Sequence, residues 1–353
     1  MAENQAIVSI KSGEAAVVDA PYPTLPADDY VIVRTTAVAI NPTDWKHVEG
    51  AEAQGCQGCR VGCDYAGVVE IVGPRVTRAF RKGDRICGPV NGSNGLRKDD
   101  GTFAKYIAVK GDLQIHTPQN LSDEEAATLG ISITTVGQGL YQTLNLPLPH
   151  TPTKEKTPIL IYGGSTATGI YGIQFAKLSG LTVLTTASPR NHEYLRSLGA
   201  DHVFDYRSPS AVDDIRAAAG GDLRLVWDCH ASKDSAEFCA RALAEDGGHY
   251  AALLGGLEDT VKAVNPRARA DVSIYYSVFG EPFWFGRRVE AVPVNYEFGK
   301  TFWELSKKLL EEGKVKPIKV TVNRGGEGLK GALEGLRESK DGRVSAEKLV
   351  YTM

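Results

Sequence analysis

A turn of small residues follows a short apolar stretch near the middle of the chain. Residues 159–162 (Ile-Leu-Ile-Tyr) run directly into Gly163-Gly164-Ser165-Thr166-Ala167-Thr168-Gly169. Small residues let a backbone approach a pyrophosphate, whose charge is stabilised by the unpaired N–H groups at a helix start. Thr166 replaces the middle glycine of Gly-x-Gly-x-x-Gly, and the hydroxyls of Ser165, Thr166 and Thr168 could bind phosphate oxygens instead. The turn predicts a dinucleotide site, with an ordinary strand-to-helix turn as the alternative.

The residues after the next predicted strand indicate which dinucleotide would bind. NAD sites usually carry an Asp or Glu about 20 residues beyond the turn, where it binds the ribose 2′-hydroxyl. No acidic residue occurs between Ser165 and His192, and the strand is followed by Ser188-Pro189-Arg190-Asn191. A guanidinium flanked by hydroxyl and amide donors suits an anionic 2′-phosphate, which a carboxylate would repel. The sequence therefore predicts NADPH, unless Arg190 is merely a solvated residue at a helix start.

Three cysteines, Cys56, Cys59 and Cys63, stand at a spacing seen in metal sites. A closed zinc site needs four ligands, and no second pair of Cys or His residues lies nearby in the sequence. His47 could in principle supply a fourth ligand. We interpret the cluster as free thiols in a glycine-rich loop and predict no metal.

The elements that would position these residues are of two types. Short β-rich segments separated by turns, with no helix between them, are typical of a small barrel or sandwich; they are predicted at 30–40, 65–72, 84–90 and 103–109. Ser122 and Glu125 form a capping box that predicts a helical stretch to about Asn145. Residues 159–254 then alternate strand and helix, as in a doubly wound parallel sheet. A helix at 297–312 and a strand at 348–351 are predicted near the C-terminus.

Length, composition and charge exclude several classes of protein. The chain has 353 residues, of which 42% are hydrophobic and 24% charged, with a formal net charge of −3. This is the composition of an ordinary soluble globular protein, which excludes a disordered chain, a collagen-like fibre and a disulfide-rich miniprotein, and the length predicts about two domains. Because nucleic-acid and membrane-surface binders need a basic excess, we expect neither partner. No export signal is recognisable, so we expect a cytoplasmic protein with reduced cysteines.

Three motifs resemble those of the medium-chain dehydrogenase/reductase superfamily, in the same order and over essentially the whole chain. They are Asn41-Pro42-Thr43-Asp44, Gly62-Cys63-Asp64-Tyr65-Ala66-Gly67 and Gly83-Asp84-Arg85-Ile86. Zinc alcohol dehydrogenases of that superfamily have a cysteine ligand where Asn41 stands and a His-Glu pair where Cys63 and Asp64 stand. Their structural-zinc lobe, expected at 91–101, has no cysteine here. The chain therefore resembles the zinc-free reductase branch.

The resemblance implies an α/β fold and a division of the chain. It implies a GroES-like β-rich catalytic domain beside a doubly wound, parallel-sheet Rossmann domain that binds NADPH. The predicted division assigns residues 1–128 to the first part of the catalytic domain, 129–280 to the Rossmann domain and 281–353 to the completion of the catalytic domain.

Within that branch, several segments look like those of the trans-acting enoyl reductases of fungal polyketide clusters. They are residues 162–168, Ser188-Pro189-Arg190-Asn191, Phe204-Asp205-Tyr206-Arg207, Gly247-Gly248-His249-Tyr250 and residues 345–350 (Ser-Ala-Glu-Lys-Leu-Val). Such enzymes are stand-alone partners of a polyketide synthase whose own reductase domain is defective, and they are expected to be monomers. The resemblance implies hydride transfer from NADPH to the β-carbon of an unsaturated thioester on a carrier domain. An NADPH-dependent quinone or enone reductase and an inactive dinucleotide-binding protein are the alternatives.

The resemblance also assigns site residues. Cofactor contacts are implied for Thr43, Asp44, Trp45, Lys46, Ser165, Thr166, Ala167, Thr168, Ser188, Pro189, Arg190, Asn191, Tyr206, Leu253, Leu254, Val344 and Ser345. A substrate wall is implied for Thr135, Val136, Gly137, Gln138, Gly139, Leu140, Tyr141, Val278, Phe279 and Gly280.

The reaction needs a group that polarises the thioester carbonyl as enolate charge develops. Lys46 is the leading candidate for this catalytic donor, with a surface lysine as the alternative interpretation. Asp44 is expected to orient its neighbours, and Tyr141 is a weaker candidate acid. Residues 275–303 are rich in aromatic side chains, which form either a packing seam or part of an apolar acyl channel.

Overall fold

The computed structural model describes residues 3–353, so Met1 and Ala2 of the predicted first domain lie outside the described residues. The described chain forms two compact units. One unit combines residues 3–134 with 276–353, and the other contains residues 135–275. No helix in residues 3–353 has both the length and the apolar character needed to cross a bilayer.

The N-terminal part is β-rich, as the sequence predicts. Its strands are β1 (Asn4–Lys11), β2 (Glu14–Ala20), β3 (Tyr30–Ala39), β4 (Asp64–Val72), β5 (Arg85–Pro89), β6 (Tyr106–Lys110) and β7 (Ile115–His116). Strands β1 and β2 form a hairpin. Strand β3 pairs antiparallel with both β4 and β6. Strand β4 also pairs with β5, and β5 pairs with β7.

A helix, α1 (Pro42–Glu49), lies between β3 and β4. The prediction that no helix separates these strands is therefore wrong. Asn41 precedes the helix, Pro42 occupies its first turn, and the carboxyl group of Asp44 accepts the Asn41 N–H at 2.7 Å. Proline at the first helical position and an acceptor two residues later are a helix-start signal that the sequence carries openly.

The helical stretch predicted from Ser122 to about Asn145 is divided into three pieces. They are α2 (Asp123–Ala126), α3 (Gly130–Val136) and a π-helical segment, Gly137–Thr143. Ser122 caps α2 as predicted, and its hydroxyl accepts the Glu125 N–H at 3.2 Å. A Cβ added to Gly130 would lie 2.5 Å from a carboxylate oxygen of Asp64, so the chain approaches β4 closely where α3 begins.

Residues 158–272 form the predicted doubly wound parallel sheet. Its elements are β8 (Pro158–Tyr162), α4 (Ala167–Leu178), β9 (Thr182–Thr186), α5 (His192–Ser197), β10 (His202–Phe204), α6 (Ala211–Ala218), β11 (Leu225–Asp228), α7 (Lys233–Ala242), β12 (His249–Ala252), α8 (Glu258–Val264) and β13 (Arg269–Val272). The strand order is β10-β9-β8-β11-β12-β13, with all neighbours parallel. The order reverses at β8, and ligands of such sheets bind beyond the carboxyl ends of the strands at that point.

The C-terminal part returns to the first unit. Its elements are β14 (Phe283–Trp284), β15 (Arg288–Val289), α9 (Pro293–Glu311), β16 (Val320–Val322), α10 (Gly328–Lys340) and β17 (Lys348–Thr352). Strand β17 pairs antiparallel with β3 and parallel with β16, so both extend the sheet of the N-terminal part. The helix predicted at 297–312 is present as α9, which begins earlier, at Pro293.

Candidate active site

Three glycines shape the turn between β8 and the start of α4, one through its backbone conformation and two because a Cβ would have no room. Gly163 has φ +79°, in the left-handed region that other residues rarely adopt. A Cβ added to Gly164 would lie 2.1 Å from the Thr185 hydroxyl, and one added to Gly169 would lie 2.4 Å from the Gly163 carbonyl oxygen. These glycines pack the helix start against the sheet and leave the turn open to a phosphate group.

The hydroxyls of the turn have different tasks. Thr166 is the N-cap of α4: its hydroxyl accepts the Gly169 N–H at 3.0 Å and donates to the Gly163 carbonyl at 2.8 Å. It is therefore already used within the turn. The half-buried hydroxyls of Ser165 and Thr168 have no hydrogen-bond partner within residues 3–353. Together with the N–H groups of the helix start they can bind phosphate oxygens.

The other predicted cofactor residues of this unit follow the carboxyl ends of neighbouring strands. Residues 188–191 follow β9, Tyr206 follows β10, and Leu253 and Leu254 follow β12. The exposed guanidinium of Arg190 forms no ion pair with any carboxylate in the described chain. The nearby Asp205 binds Arg207 through two hydrogen bonds of 3.0 and 3.1 Å. The structure thus brings these residues to one sheet edge and leaves a free cation there.

A buried carboxylate at the end of β11 was missed by the sequence analysis. Asp228 is fully buried and accepts four hydrogen bonds: His230 N–H at 3.0 Å, Ala231 N–H at 2.9 Å, Ser235 hydroxyl at 2.6 Å and Tyr250 hydroxyl at 2.9 Å. It fixes the loop after β11. The backbone nitrogen of His230 in that loop would lie 3.5 Å from a Cβ added to Gly163, so the loop borders the small-residue turn. The sequence signal that could have identified it is a single acidic residue at the end of an apolar strand.

In the other unit, α1 carries the predicted donor Lys46 together with Thr43 and His47. The Thr43 hydroxyl lies 2.8 Å from the hydroxyl of Tyr276, a buried residue that sequence reasoning missed. His47 donates from Nδ1 to the Thr43 carbonyl at 2.8 Å. Burial lowers the pKa of His47, so the ring is neutral at pH 7. These contacts hold the helix that carries Lys46.

The Lys46 side chain is exposed and forms no ion pair with a carboxylate of residues 3–353. Its Nζ lies 5.7 Å from the centre of the Trp45 ring. Partial removal from water lowers the pKa of Lys46. An unpaired ammonium of this kind can donate to an anion or a carbonyl oxygen. The geometry is compatible with the predicted role, which stays a prediction.

Asp44 is buried and its environment favours the neutral acid. Burial raises the pKa of Asp44 to about 8, although the Asn41 N–H opposes the shift. The carboxyl is therefore mostly protonated at pH 7. Burial, followed by the charge of Asp44, also raises the pKa of the neighbouring Cys63 thiol.

The predicted substrate residues occupy two separate segments. The first is the end of α3 together with the π-helical segment. There Gly139 packs against Trp227, and a Cβ added to Gly139 would lie 2.4 Å from the indole nitrogen. The Tyr141 hydroxyl lies 2.9 Å from that of Ser179, and burial raises the pKa of Tyr141. Val278 and Phe279 are buried in the first unit, and Gly280 follows with φ +64°. Val344 and Ser345 precede β17 in the same unit.

The cysteines are free and buried. Burial raises the pKa of Cys56 to about 12 and that of Cys59 to about 11, so both are neutral thiols at pH 7. Within residues 3–353, no group of three or more His, Cys, Asp and Glu side chains could hold a metal ion.

A buried ion pair joins β4 to the C-terminal strand. Asp64 and Lys348 have side chains 0% and 3% exposed, and the ammonium donates to carboxylate Oδ2. The same oxygen accepts from the Asn41 amide at 3.0 Å, and Oδ1 accepts the Ile131 N–H at 2.6 Å. Lys348 also donates to the Thr128 carbonyl at 3.1 Å. Both carboxylate oxygens are therefore fully used.

Known family models match both the β-rich part and the parallel-sheet part of the chain. Residues 27–119 match the alcohol dehydrogenase GroES-like domain, and residues 167–290 match the zinc-binding dehydrogenase family. The CurK enoyl reductase has the same fold (TM-score 0.77, 19% identity, 99% of both chains), as does the quinone oxidoreductase of Coxiella burnetii (TM-score 0.76, 24% identity, 100% of both chains). The predicted combination of a GroES-like β-rich domain and a Rossmann domain is confirmed.

Curated relatives are more similar in sequence. The trans-enoyl reductase resD of Aspergillus sclerotiorum is 44% identical, covering 98% of this chain and 99% of its own length. The trans-enoyl reductase TOXD of Cochliobolus carbonum is 50% identical over 78% of this chain and 90% of its own. The trans-enoyl reductase ACTTS2 of Alternaria alternata is 42% identical over 99% of both chains.

The zinc in the matched family's description does not fit the donors of this chain. Asn41 offers an amide that already donates to Asp64, and both oxygens of Asp64 are occupied by N–H and ammonium donors. The Lys348 cation lies beside that carboxylate, and the Cys63 thiol is kept neutral by burial. Zinc binds thiolates and free carboxylates, so we derive no step through a metal.

Proposed function

The chain belongs to the trans-enoyl reductases of the medium-chain dehydrogenase/reductase superfamily, and on that premise we propose that it reduces an α,β-unsaturated polyketide thioester with NADPH. It is an oxidoreductase that acts on a carbon–carbon double bond and uses a nicotinamide cofactor. The proposal adds three points: the phosphorylated form of the cofactor, the carrier-bound thioester, and a polyketide synthase as partner.

The observation that carries the choice of NADPH is the free guanidinium of Arg190 at the carboxyl end of β9. No acidic side chain occurs from Ser165 to His192, and Asp205, in the loop after β10, is bound to Arg207. A 2′-phosphate would therefore meet a cation and hydroxyl donors in place of the carboxylate that is usual in NAD sites. The open hydroxyls of Ser165 and Thr168 support a pyrophosphate site at the neighbouring turn.

The chain's own residues supply binding, orientation and charge stabilisation. When bound, NADPH supplies the hydride that adds to the β-carbon. Lys46 donates a hydrogen bond to the thioester carbonyl oxygen, on which negative charge develops as the enolate forms. Thr43, held by the Tyr276 hydroxyl at 2.8 Å, and His47 keep α1 in place and so position Lys46. Solvent water then supplies the proton that the α-carbon takes up, which completes the reduction.

The substrate class and the partner are supported by the relatives. Enzymes named trans-enoyl reductases match nearly the whole chain at 42% and 44% identity. An enzyme that acts in trans receives its substrate from another protein, and we propose that this is the carrier domain of a polyketide synthase. We propose that the reductase itself is a monomer.

The test uses purified full-length protein. With NADPH and an enoyl pantetheine thioester, we expect oxidation of NADPH and a product two mass units heavier than the substrate. NADH should be used at least about tenfold less efficiently in kcat/KM, as expected for loss of charge-assisted contacts to the 2′-phosphate. Turnover of a quinone but not the thioester would replace the proposal with a quinone reductase. Cofactor binding without any turnover would indicate an inactive dinucleotide-binding protein.

A further inference from the structure

Three polar side chains from separate elements converge on one carboxylate, that of Glu281. We propose that Glu281 is a positioning residue that anchors residues 276–284 and thereby sets the acyl-chain selectivity of the enzyme. The selectivity part rests on the proposed function, because Val278, Phe279 and Gly280 within this segment are the predicted substrate wall. The anchor itself is argued from contacts within the first unit.

The donors to Glu281 come from widely separated parts of the chain. The Tyr30 hydroxyl, at the start of β3, donates to Oε2 at 2.7 Å. Arg97, in the loop before β6, donates to the same oxygen at 3.0 Å. Lys110, at the end of β6, donates to Oε1. Glu281 therefore ties the segment to three points of the β-rich unit at once.

The two cations are themselves held by further acids. Lys110, only 7% exposed, also pairs with Asp29 at 2.9 Å. Arg97 pairs with Asp100 at 2.6 Å, and Asp100 is 5% exposed. Because both cations are fixed on their far sides, Glu281 meets a preformed cradle rather than flexible surface side chains. Neutralising Glu281 therefore weakens the tie to residues 276–284, while Lys110 keeps Asp29 and Arg97 keeps Asp100 as partners.

Packing fixes the segment on either side of Glu281. The Trp284 indole lies in a slot between Gly55 and Gly95, whose added Cβ atoms would stand 2.3 and 2.9 Å from indole atoms. At the other end the Tyr276 hydroxyl contacts that of Thr43 at 2.8 Å. Val278 and Phe279 lie between these fixed points.

The consequence is a rigid wall rather than a mobile lid. A wall of fixed shape discriminates among acyl chains by the space it leaves, whereas a loosened wall accepts longer and shorter chains more evenly. A purely structural role for Glu281 would change the stability of the fold but leave the ratio of activities among acyl chains unchanged. Selectivity is therefore the readout that separates positioning from stability.

The variant Glu281→Gln keeps the shape of the side chain and removes its charge. The matched control is Glu290→Gln, nine residues on, whose exposed carboxylate binds only the neighbouring Arg288, at 2.7 Å, among the described contacts. Tyr30→Phe, which removes one donor and no charge, is the milder second variant if Glu281→Gln folds poorly. All are compared as full-length proteins well below their melting temperatures.

Two measurements decide the proposal. Hydrogen exchange of peptides covering 276–284 should be about tenfold faster in Glu281→Gln, and less so in Tyr30→Phe, while Glu290→Gln matches the wild type. The ratio of kcat/KM between a short and a long enoyl pantetheine thioester should change by about threefold or more in Glu281→Gln, by less in Tyr30→Phe, and not in Glu290→Gln. Unchanged exchange overturns the anchor, whether or not the wild type reduces thioesters. Faster exchange with an unchanged ratio overturns the link to selectivity, and a wild type inactive on every thioester overturns that link together with the proposed function.

Discussion

Replacing Arg190 with glutamine tests the basis for the choice of cofactor. The guanidinium is exposed at the end of β9 and has no carboxylate partner in the described chain, so the variant breaks no ion pair within the protein. What it should remove is the proposed set of hydrogen bonds to the 2′-phosphate, a group that NADH lacks. The expected result is a loss confined to NADPH.

The magnitude follows from the position of the side chain. A hydrogen bond to a charged group contributes about 1.5–3 kcal/mol, and about 1.4 kcal/mol corresponds to a tenfold change in affinity. Because Arg190 is exposed to water and salt, we take the lower part of that range. The expected loss in kcat/KM for NADPH is then about 10- to 30-fold, with NADH changed by less than about twofold.

The assay measures kcat/KM for both dinucleotides with one enoyl pantetheine thioester. Direct binding of NADPH, followed by the quenching of protein fluorescence, reports on affinity without turnover. The matched control is Arg196→Gln on α5, an exposed arginine without an ion pair among residues 3–353. The control should retain the preference of the wild type. Equal losses for both dinucleotides, or a wild-type preference for NADH, would refute the reasoning.

Three further predictions test the other unit. Lys46→Met should lower kcat about 10- to 100-fold, because the group that donates to the developing negative charge is lost. Steady-state kinetics would compare it with Lys82→Met, which changes another exposed lysine. If Lys46 were only a surface residue, the two variants would have the same kcat. Burial raises the pKa of Asp44 from 3.8 to about 8, so the native state binds a proton that the unfolded state releases, and stability falls as pH rises between those values. Urea unfolding of Asp44→Asn should therefore show a gain over the wild type of up to about 1.4 kcal/mol per pH unit in that window; a constant difference would contradict this sign. Lys348→Met should cost about 3–5 kcal/mol in the free energy of unfolding by leaving Asp64 charged and buried, and adding Asp64→Asn should recover part of it; no recovery would exclude the pair as the cause.

Prediction from the sequence succeeded where a local pattern dictates local structure. The runs that form β8, β9, β10 and β11 are short, apolar and bounded by turn residues, and the predicted alternation of strand and helix is confirmed. The capping box at Ser122 is also confirmed. The helix following Asn41 was missed although its start signal was present, because the surrounding β-rich pattern dominated the interpretation.

The helical stretch to Asn145 shows where local reasoning ends. Nothing in the periodicity of these residues indicates a break, and the chain is divided where Gly130 approaches the Asp64 carboxylate on β4. The N–H of Ile131 then donates to that carboxylate at 2.6 Å. A contact between positions 67 residues apart thus determines where α3 begins.

The sequence by itself determined the two fold types and the small-residue turn after β8, because each depends on residues that are neighbours along the chain. It also showed that no acidic residue directly follows β9. Only the tertiary structure decided which polar side chains are buried together. Lys348 meets Asp64 across 284 positions, and Glu281 meets Tyr30 across 251. Such pairs leave no periodic signal, since the free energy of a buried charge depends on the partner that folding brings to it.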